Sequence, residues 1–362
     1  MKRRSFIRLA GVIAALWLPS IVSARQKSIT GEVAATSSPI VPPHELQERE
    51  QHPEGEWHTV IKVIGVGGAG VKAIEYMIDK GLKGCEFVVA DTDARALKRS
   101  SAKALIQLGQ TCRGVGGNSE VGFNASMENR RCITECLKGA HMVFIVAGMG
   151  CSTGTGAAPL FAEVARELGT LTVGLVTTPS GFEGRLQNNF ATGIAKLQTH
   201  SDSLILIHND KLSDVLNDDA SLLEIPIAAH TVMHETISGI TEMILIQGMV
   251  GVDFEDVRTV MGGMGVGMMG LAIATGSDRA RIAAQKAIAS PLLDGVDLAG
   301  AQGVLVCITA KRGFKMREVN EVMNTVRKAV AEDAHIIFGT SYDENMGDDI
   351  RVTLVATGYS GS

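Results

Sequence analysis

The body of this chain carries no block of Lys and Arg, and its net charge is −5. An acidic balance without a basic stripe argues against a nucleic-acid surface. The six cysteines, at positions 85, 112, 132, 136, 151 and 307, form no paired framework. Cys132 and Cys136 stand four apart on one helix face, but no second His or Cys pair nearby completes a metal set, so they read as two buried thiols. Internal repeats and low-complexity tracts are absent. Apolar residues, by contrast, are plentiful at 45% of 362 residues, which excludes general disorder and allows two domains or one large one with a substantial core. Glycine is in excess: 41 residues, where about 7% is usual, and they cluster in loops that follow apolar runs.

Residues 1–24 stand apart. Lys2, Arg3 and Arg4 precede the apolar stretch Leu9–Leu18, and Val22-Ser23-Ala24 fits a cleavage site. This is signal-peptide anatomy, and Arg3-Arg4-Ser5-Phe6-Ile7 resembles a twin-arginine export signal. The apolar stretch is short for a membrane span. Residues 25–57 read as a polar linker, with Pro39, Pro42, Pro43 and Pro53 and the charged run Glu45–Glu50. A mis-assigned start inside the linker would need a non-AUG codon, because no methionine lies between Met1 and Met77. Taken alone, the segment favours export; the rest of the chain argues for the cytoplasm.

From Thr59 the pattern is strand, Gly-rich loop, helix, repeated. Val60–Val66, Glu86–Ala90, Ala104–Leu108, Met142–Ala147, Leu171–Thr177 and Leu204–His208 read as strands, with helices between them, among them Ala94–Lys98 and Ala157–Leu168. Such alternation predicts an α/β, doubly wound parallel sheet with its ligand at the strand carboxyl ends. Residues 221–250 then predict a long connecting helix. Strands at Met268–Thr275, Gly303–Thr309, His335–Thr340 and Arg351–Thr357, with helices at Asp278–Ala289 and Met316–Ala331, predict a smaller α+β domain over 251–362. The nucleotide-binding part is thus 58–220.

Two loops carry the chemistry. Gly65-Val66-Gly67-Gly68-Ala69-Gly70 sits between a strand and a helix, where glycines let backbone N–H groups approach a phosphate. Alone, such a motif is weak evidence. A second loop, Ala147-Gly148-Met149-Gly150-Cys151-Ser152-Thr153-Gly154-Thr155-Gly156, lies on a neighbouring strand and makes another anion nest. Neither ends in the Lys-Ser/Thr of a P-loop, and a dinucleotide enzyme does not need the pair.

These residues resemble the tubulin/FtsZ family, whose signature is a Gly-Gly-Gly-Thr-Gly-Thr-Gly run. Ala90-Asp91-Thr92-Asp93-Ala94, Phe182-Glu183-Gly184, Asn209-Asp210-Lys211-Leu212, the run Gly251–Met261 and Arg351–Gly358 follow in the family's order, over residues 58–358. The resemblance implies GTP or GDP as ligand, with room for Mg2+ beside it. It assigns nucleotide contacts to Gly67, Gly68, Ala69, Gly70, Val71 and Lys72 of the first loop, and to Gly148, Gly150, Thr153, Gly154, Thr155 and Gly156 of the second. Glu183 would meet the ribose, Gln187 stands where an Arg faces the γ-phosphate, and His230 stands where an Asn or Asp reads guanine. Pro226 replaces an aromatic residue that packs on the base. Asp253 and Asp256, in the segment the family inserts into the next subunit's site, would be catalytic; the bare residues read equally as helix N-terminal acids favoured by the macrodipole.

Departures temper the picture. Cys151 and Ser152 replace signature glycines, and if either position needs φ > 0 a Cβ costs on the order of 1–2 kcal/mol. Lys72 replaces an Asn, Gly251 replaces another, and a neutral His offers one acceptor at most, so guanine selectivity should drop. The sequence stops at Ser362, directly after the core, with no adaptor-binding tail in view, which points to an accessory paralogue. Three functions follow, in this order: a cytoplasmic GTPase assembling head-to-tail with itself at the division site; a weakly hydrolysing partner of another FtsZ; and an exported protein reusing the fold.

Overall fold

The computed structural model describes residues 59–110, 114–181, 183–216, 224–245, 250–293 and 298–359. The signal-like segment and the linker lie outside the described residues, as does Phe182. Six strands, β1 (Ile61–Val66), β2 (Cys85–Asp91), β3 (Ala104–Gln107), β4 (Met142–Gly148), β5 (Leu171–Thr178) and β6 (Ser203–His208), run parallel in the order β3-β2-β1-β4-β5-β6. β4 is buried along its whole length, which is why it reads as an unbroken apolar run. The one cation in β1, Lys62, is accommodated because its Nζ donates to the Cys136 carbonyl at 2.6 Å and pairs with Glu86 at 3.1 Å.

Helices cover both faces of the parallel strands. They are α1 (Gly67–Asp79), α2 (Ala94–Leu97), α3 (Ser119–Glu128), α4 (Arg130–Leu137), α5 (Ser152–Glu167), α6 (Gly184–His200) and α7 (Asn209–Val215). α8 (Glu224–Leu245) is the connecting helix, about 33 Å long at 1.5 Å per residue. After it come α9 (Phe254–Met261), β7 (Gly265–Thr275), α10 (Arg279–Ile288), β8 (Gly303–Ala310), α11 (Met316–Arg327), β9 (His335–Tyr342) and β10 (Asp349–Thr357).

The smaller unit is not separated from the larger one by a break in the sheet. β7 continues the parallel order beside β6 over Ser203↔Gly265 to Ile205↔Gly267, then pairs antiparallel with β10, so ten strands share one hydrogen-bonded order. One apolar cluster runs from Val63 and Phe144 through Ile237 and Ile240 of α8 to Leu305 and Val355. A second fills the space between the parallel strands and α5, and a third lies under α10 and α11.

Two helix boundaries differ from expectation by four residues or more. α11 ends at Arg327, short of Ala331. α5 begins at Ser152 rather than Ala157, so Thr153-Gly154-Thr155-Gly156 is its first turn and not a loop. Two glycines and two β-branched residues are poor helix formers, and tertiary packing overrides them. A Cβ at Gly156 would collide with the Ser119 carbonyl, and one at Gly154 would lie 2.7 Å from the Gly148 carbonyl oxygen. The glycines are there so that the turn can pack backbone to backbone.

Candidate functional site

β1 and β4 are hydrogen-bonded neighbours with Val66 opposite Ala147, so their carboxyl ends deliver both glycine loops side by side. The loops touch. Gly67 has φ +72°, and a Cβ on it would lie 2.8 Å from the Gly154 nitrogen; a Cβ on Gly148 would lie 2.8 Å from that of Ala69. Gly150 has φ +101°, and its N–H donates to Thr155 Oγ1 at 2.8 Å.

Neither helix that starts here is capped by a side chain. Val66 precedes α1 and Cys151 precedes α5, and neither makes a capping hydrogen bond. The first-turn N–H groups of both helices, each at the positive end of a helix dipole, therefore lack a side-chain acceptor. Beside them, a Cβ on Gly68 would have only one heavy atom within 4 Å, Asp91 Oδ2 at 3.9 Å. The residues present fit a polyphosphate: open space, two uncapped helix starts and glycines where backbone must come close.

Cys151 and Ser152 carry no conformational penalty. Cys151 has φ −75° and Ser152 is the first helical residue, so the condition for strain is not met; the left-handed position is Gly150. Val71 is buried in the core, which leaves only its backbone facing the loop chemistry. Thr153 and Thr155 are also buried, their hydroxyls holding Thr92 Oγ1 at 2.9 Å and the Gly150 N–H.

Glu183 sits at the N-terminal boundary of α6, where its Oε2 accepts from the Ser180 N–H at 2.8 Å. It lies within electrostatic reach of Cys151, as do Lys72 and Asp91; burial first, then the two acids, push the Cys151 thiol up. Lys72 also acts on His230, whose pKa burial and this lysine together lower to about 4. The imidazole is therefore neutral at pH 7. α1 and α8 fix it further: the Tyr76 ring lies 6.0 Å from that of His230, and the Tyr76 hydroxyl bonds Thr231 Oγ1 at 2.8 Å. Lys72 thus lies within electrostatic reach of both Cys151 of the second loop and His230 of α8. Gln187 belongs to α6, but its side chain is outside the described residues.

Asp91 and Thr92 form a third wall that was not among the expected site residues. Ala90 lies opposite Val66, so the next residues of β2 emerge level with the first glycine loop. The signal was in the Ala90–Ala94 tract, but nothing in it says that Thr92 would reach Thr153.

Asp253 and Asp256 are not brought to these loops. Asp253 caps α9, its Oδ1 accepting from the Asp256 N–H at 2.9 Å, and both are exposed. α9 is anchored at the amino-terminal edge of the parallel sheet: Ser203 Oγ, at the start of β6, donates to the Met261 carbonyl at 2.6 Å, and the Phe254 ring meets that of His141, just before β4. The length of β4 separates the two edges, about 20 Å at roughly 3.3 Å per residue.

Two glycine loops on adjacent parallel strands, a long central helix and a mixed sheet beyond it define a tubulin-like nucleotide-binding protein. Residues 60–217 match the Tubulin/FtsZ family, GTPase domain, and residues 265–360 match the FtsZ family, C-terminal domain. The chain is 49% identical over 302 residues to the cell division protein FtsZ of Coxiella burnetii, covering 82% of this chain and 78% of that one. It is 47% identical over 305 residues to that of Buchnera aphidicola subsp. Schizaphis graminum, at 83% and 79% coverage. Among solved structures, the empty FtsZ dimer of M. jannaschii superposes with a TM-score of 0.80 at 36% identity, over 83% of this chain and 88% of that one. CetZ2 of Haloferax volcanii, a GTPgS-bound protofilament, shares the fold at a TM-score of 0.70 and 20% identity, over 82% and 92%. The chain belongs to the FtsZ family of tubulin-like GTPases, and GTP binding and filament formation follow from that membership. Among the described residues no helix is long and apolar enough to cross a membrane.

Gly67 offers a direct test of the cradle. Gly67→Ala adds a Cβ at 2.8 Å from the Gly154 nitrogen in a left-handed conformation that costs about 1–2 kcal/mol. Nucleotide affinity, measured by equilibrium binding of a fluorescent GTP analogue, is expected to fall more than about tenfold. Far-ultraviolet circular dichroism should stay unchanged.

Proposed function

We propose that this chain binds GTP between its two glycine loops, assembles head-to-tail with copies of itself, and hydrolyses GTP only where two copies meet. The observation that carries the reading is the placement of Asp253 and Asp256 at the edge of the sheet opposite the loops. No motion of the α9 acids within one folded chain spans about 20 Å of packed strand. A second copy stacked in the same orientation brings its acids to the first copy's loops. Such a contact joins unlike faces and does not close, so it propagates as a filament.

In the junction the roles divide. The N–H groups of Gly67–Lys72 and of the α5 first turn hold the phosphates, Glu183 faces the sugar, and Lys72 adds a cation above them. The incoming Asp253 and Asp256 orient the water that attacks the γ-phosphate and accept its proton. Among the described residues no group of three or more His, Cys, Asp or Glu converges. Mg2+ would be held by the phosphates and the incoming carboxylates, where it would supply charge neutralisation. The division site in the cytoplasm is the proposed place of action, a reading supported by the relatives' printed role in cell division.

The test is GTP turnover of the purified protein against its own concentration. Turnover per molecule should rise with concentration and vanish below the assembly threshold; a constant rate would rule out a shared site. One observation favours a second reading. A neutral His230 reads the guanine edge poorly, which suits a subunit that co-assembles with another FtsZ and turns over slowly. Turnover that appears only in the mixture with that second FtsZ would select it.

A further inference from the structure

The phosphate cradle contains an acid that its chemistry does not call for. Asp91 is 4% exposed, at the carboxyl end of β2, with Oδ2 facing the space beside Gly68 that nothing else fills. Its Oδ1 accepts from the Asp93 N–H at 3.1 Å and, weakly, from Thr92 Oγ1 at 3.5 Å. Around it stand Asp93 on its own loop, turned toward Arg95 at 3.0 Å, and neutral Gln107 on β3, whose Nε2 donates to the Thr92 carbonyl at 3.1 Å. Cys151 at the start of α5, with Glu183 and Lys72 beyond it, completes the ring of titratable groups. Asp91 makes no ion pair among the described residues. Anionic phosphates placed against the α1 and α5 helix starts would thus meet a buried carboxylate that no ion pair among the described residues neutralises.

Resting on the reading of the cradle as a nucleotide site, we infer that Asp91 carries a proton whenever a nucleotide di- or triphosphate is bound, so that binding takes up one proton from solvent at this carboxyl and Asp91 sets the pH dependence of affinity. The protonated form donates its O–H to a phosphate oxygen instead of repelling it. The free protein already leans this way: burial above all pushes the Asp91 carboxyl up, against hydrogen bonds from Asp93 and Thr92, and Asp93 adds to the rise. A bound phosphate raises it further. The sign follows: affinity is highest below the free protein's pKa for Asp91, and falls as pH rises toward the bound-state value.

The experiment measures GDP affinity from about pH 5 to about pH 8.5 for the full chain and for Asp91→Asn, which keeps the shape and removes the charge. Titration of the nucleotide's own phosphates is common to both proteins and cancels in the ratio. Asp91→Asn should bind about tenfold tighter at the alkaline end and nearly equally at the acid end. Calorimetry of the unmodified protein in two buffers of different ionisation enthalpy should independently show proton uptake near one per nucleotide, and this needs no variant to fold. Parallel pH profiles with no proton uptake would overturn the inference. So would weaker binding of Asp91→Asn together with a lost dependence on Mg2+, since the carboxylate would then act charged, through the metal. Absence of nucleotide binding at every pH would instead sink the cradle reading itself.

Discussion

Asp256→Ala is expected to lower GTP turnover on the order of 10²-fold or more, while GTP affinity of the unassembled chain stays within about twofold of the original. The split arises because the loops and the acids occupy opposite edges of the sheet, so the variant's own pocket is untouched. Filaments should persist longer, since the nucleotide at each junction is no longer consumed. Asp253 needs a different substitution, because its Oδ1 caps α9 through the Asp256 N–H. Asp253→Ala would cost about 1 kcal/mol of helix stability along with the charge, whereas Asp253→Asn keeps the cap and removes only the charge. Mixing Asp256→Ala with Gly67→Ala then tests the geometry: one supplies intact loops, the other intact acids, and some junctions should turn over. Co-assembly without any recovery would refute the shared site.

A large loss of stability is expected at Arg351. This guanidinium on β10 pairs directly with Glu235 of α8 and lies 3.9 Å from Glu242, with Arg351 and Glu235 side chains only 7% and 6% exposed. Arg351→Met leaves the buried Glu235 carboxylate without its guanidinium, and breaking a buried pair from one side costs about 3–5 kcal/mol. The urea midpoint should fall with little change in slope. Adding Glu235→Gln should recover part of the loss, because the stranded charge is then gone. The pH dependence carries a sign. Burial pushes the Glu235 carboxyl up, but Arg351 and then His234 overcome it, and the net shift is downward. A depressed folded-state pKa means that the stabilisation is present above the unfolded value of about 4.3 and is lost as pH falls through the folded one. Acid unfolding of the Glu235→Gln variant should be correspondingly shallower below about pH 4.

Much of this architecture was readable in the residues themselves. Runs buried on both faces, such as Met142–Gly148, announce central parallel strands, and the glycines after them announce the two adjoining loops at the strand ends. Asp253 reads as a helix cap and is one. What escaped was set by tertiary contact. The early start of α5 depends on Gly156 packing under the Ser119 carbonyl, which no local propensity encodes. The feared strain at Cys151 was absent because the left-handed turn falls one residue earlier, on Gly150. Asp91 and Thr92 join the site through a register, Ala90 beside Val66, that exists only once the sheet has formed. The three register pairs that join β7 to β6 likewise depend on the assembled sheet and are not encoded in either strand's own pattern.

Because the loops and the acids sit at opposite ends of each subunit, the two tips of any filament are chemically unlike. On the proposed shared-site reading, one tip presents a loaded pocket that no neighbour has yet reached. Without a neighbour's acids its nucleotide is expected to stay whole. The other tip presents a pair of carboxylates waiting for a substrate that only a newcomer can bring. Growth confined to the first tip would bury fresh triphosphate, and loss from the second would release the oldest product. The place where α9 is pinned on the sheet would thus give the proposed polymer a direction and an order in time.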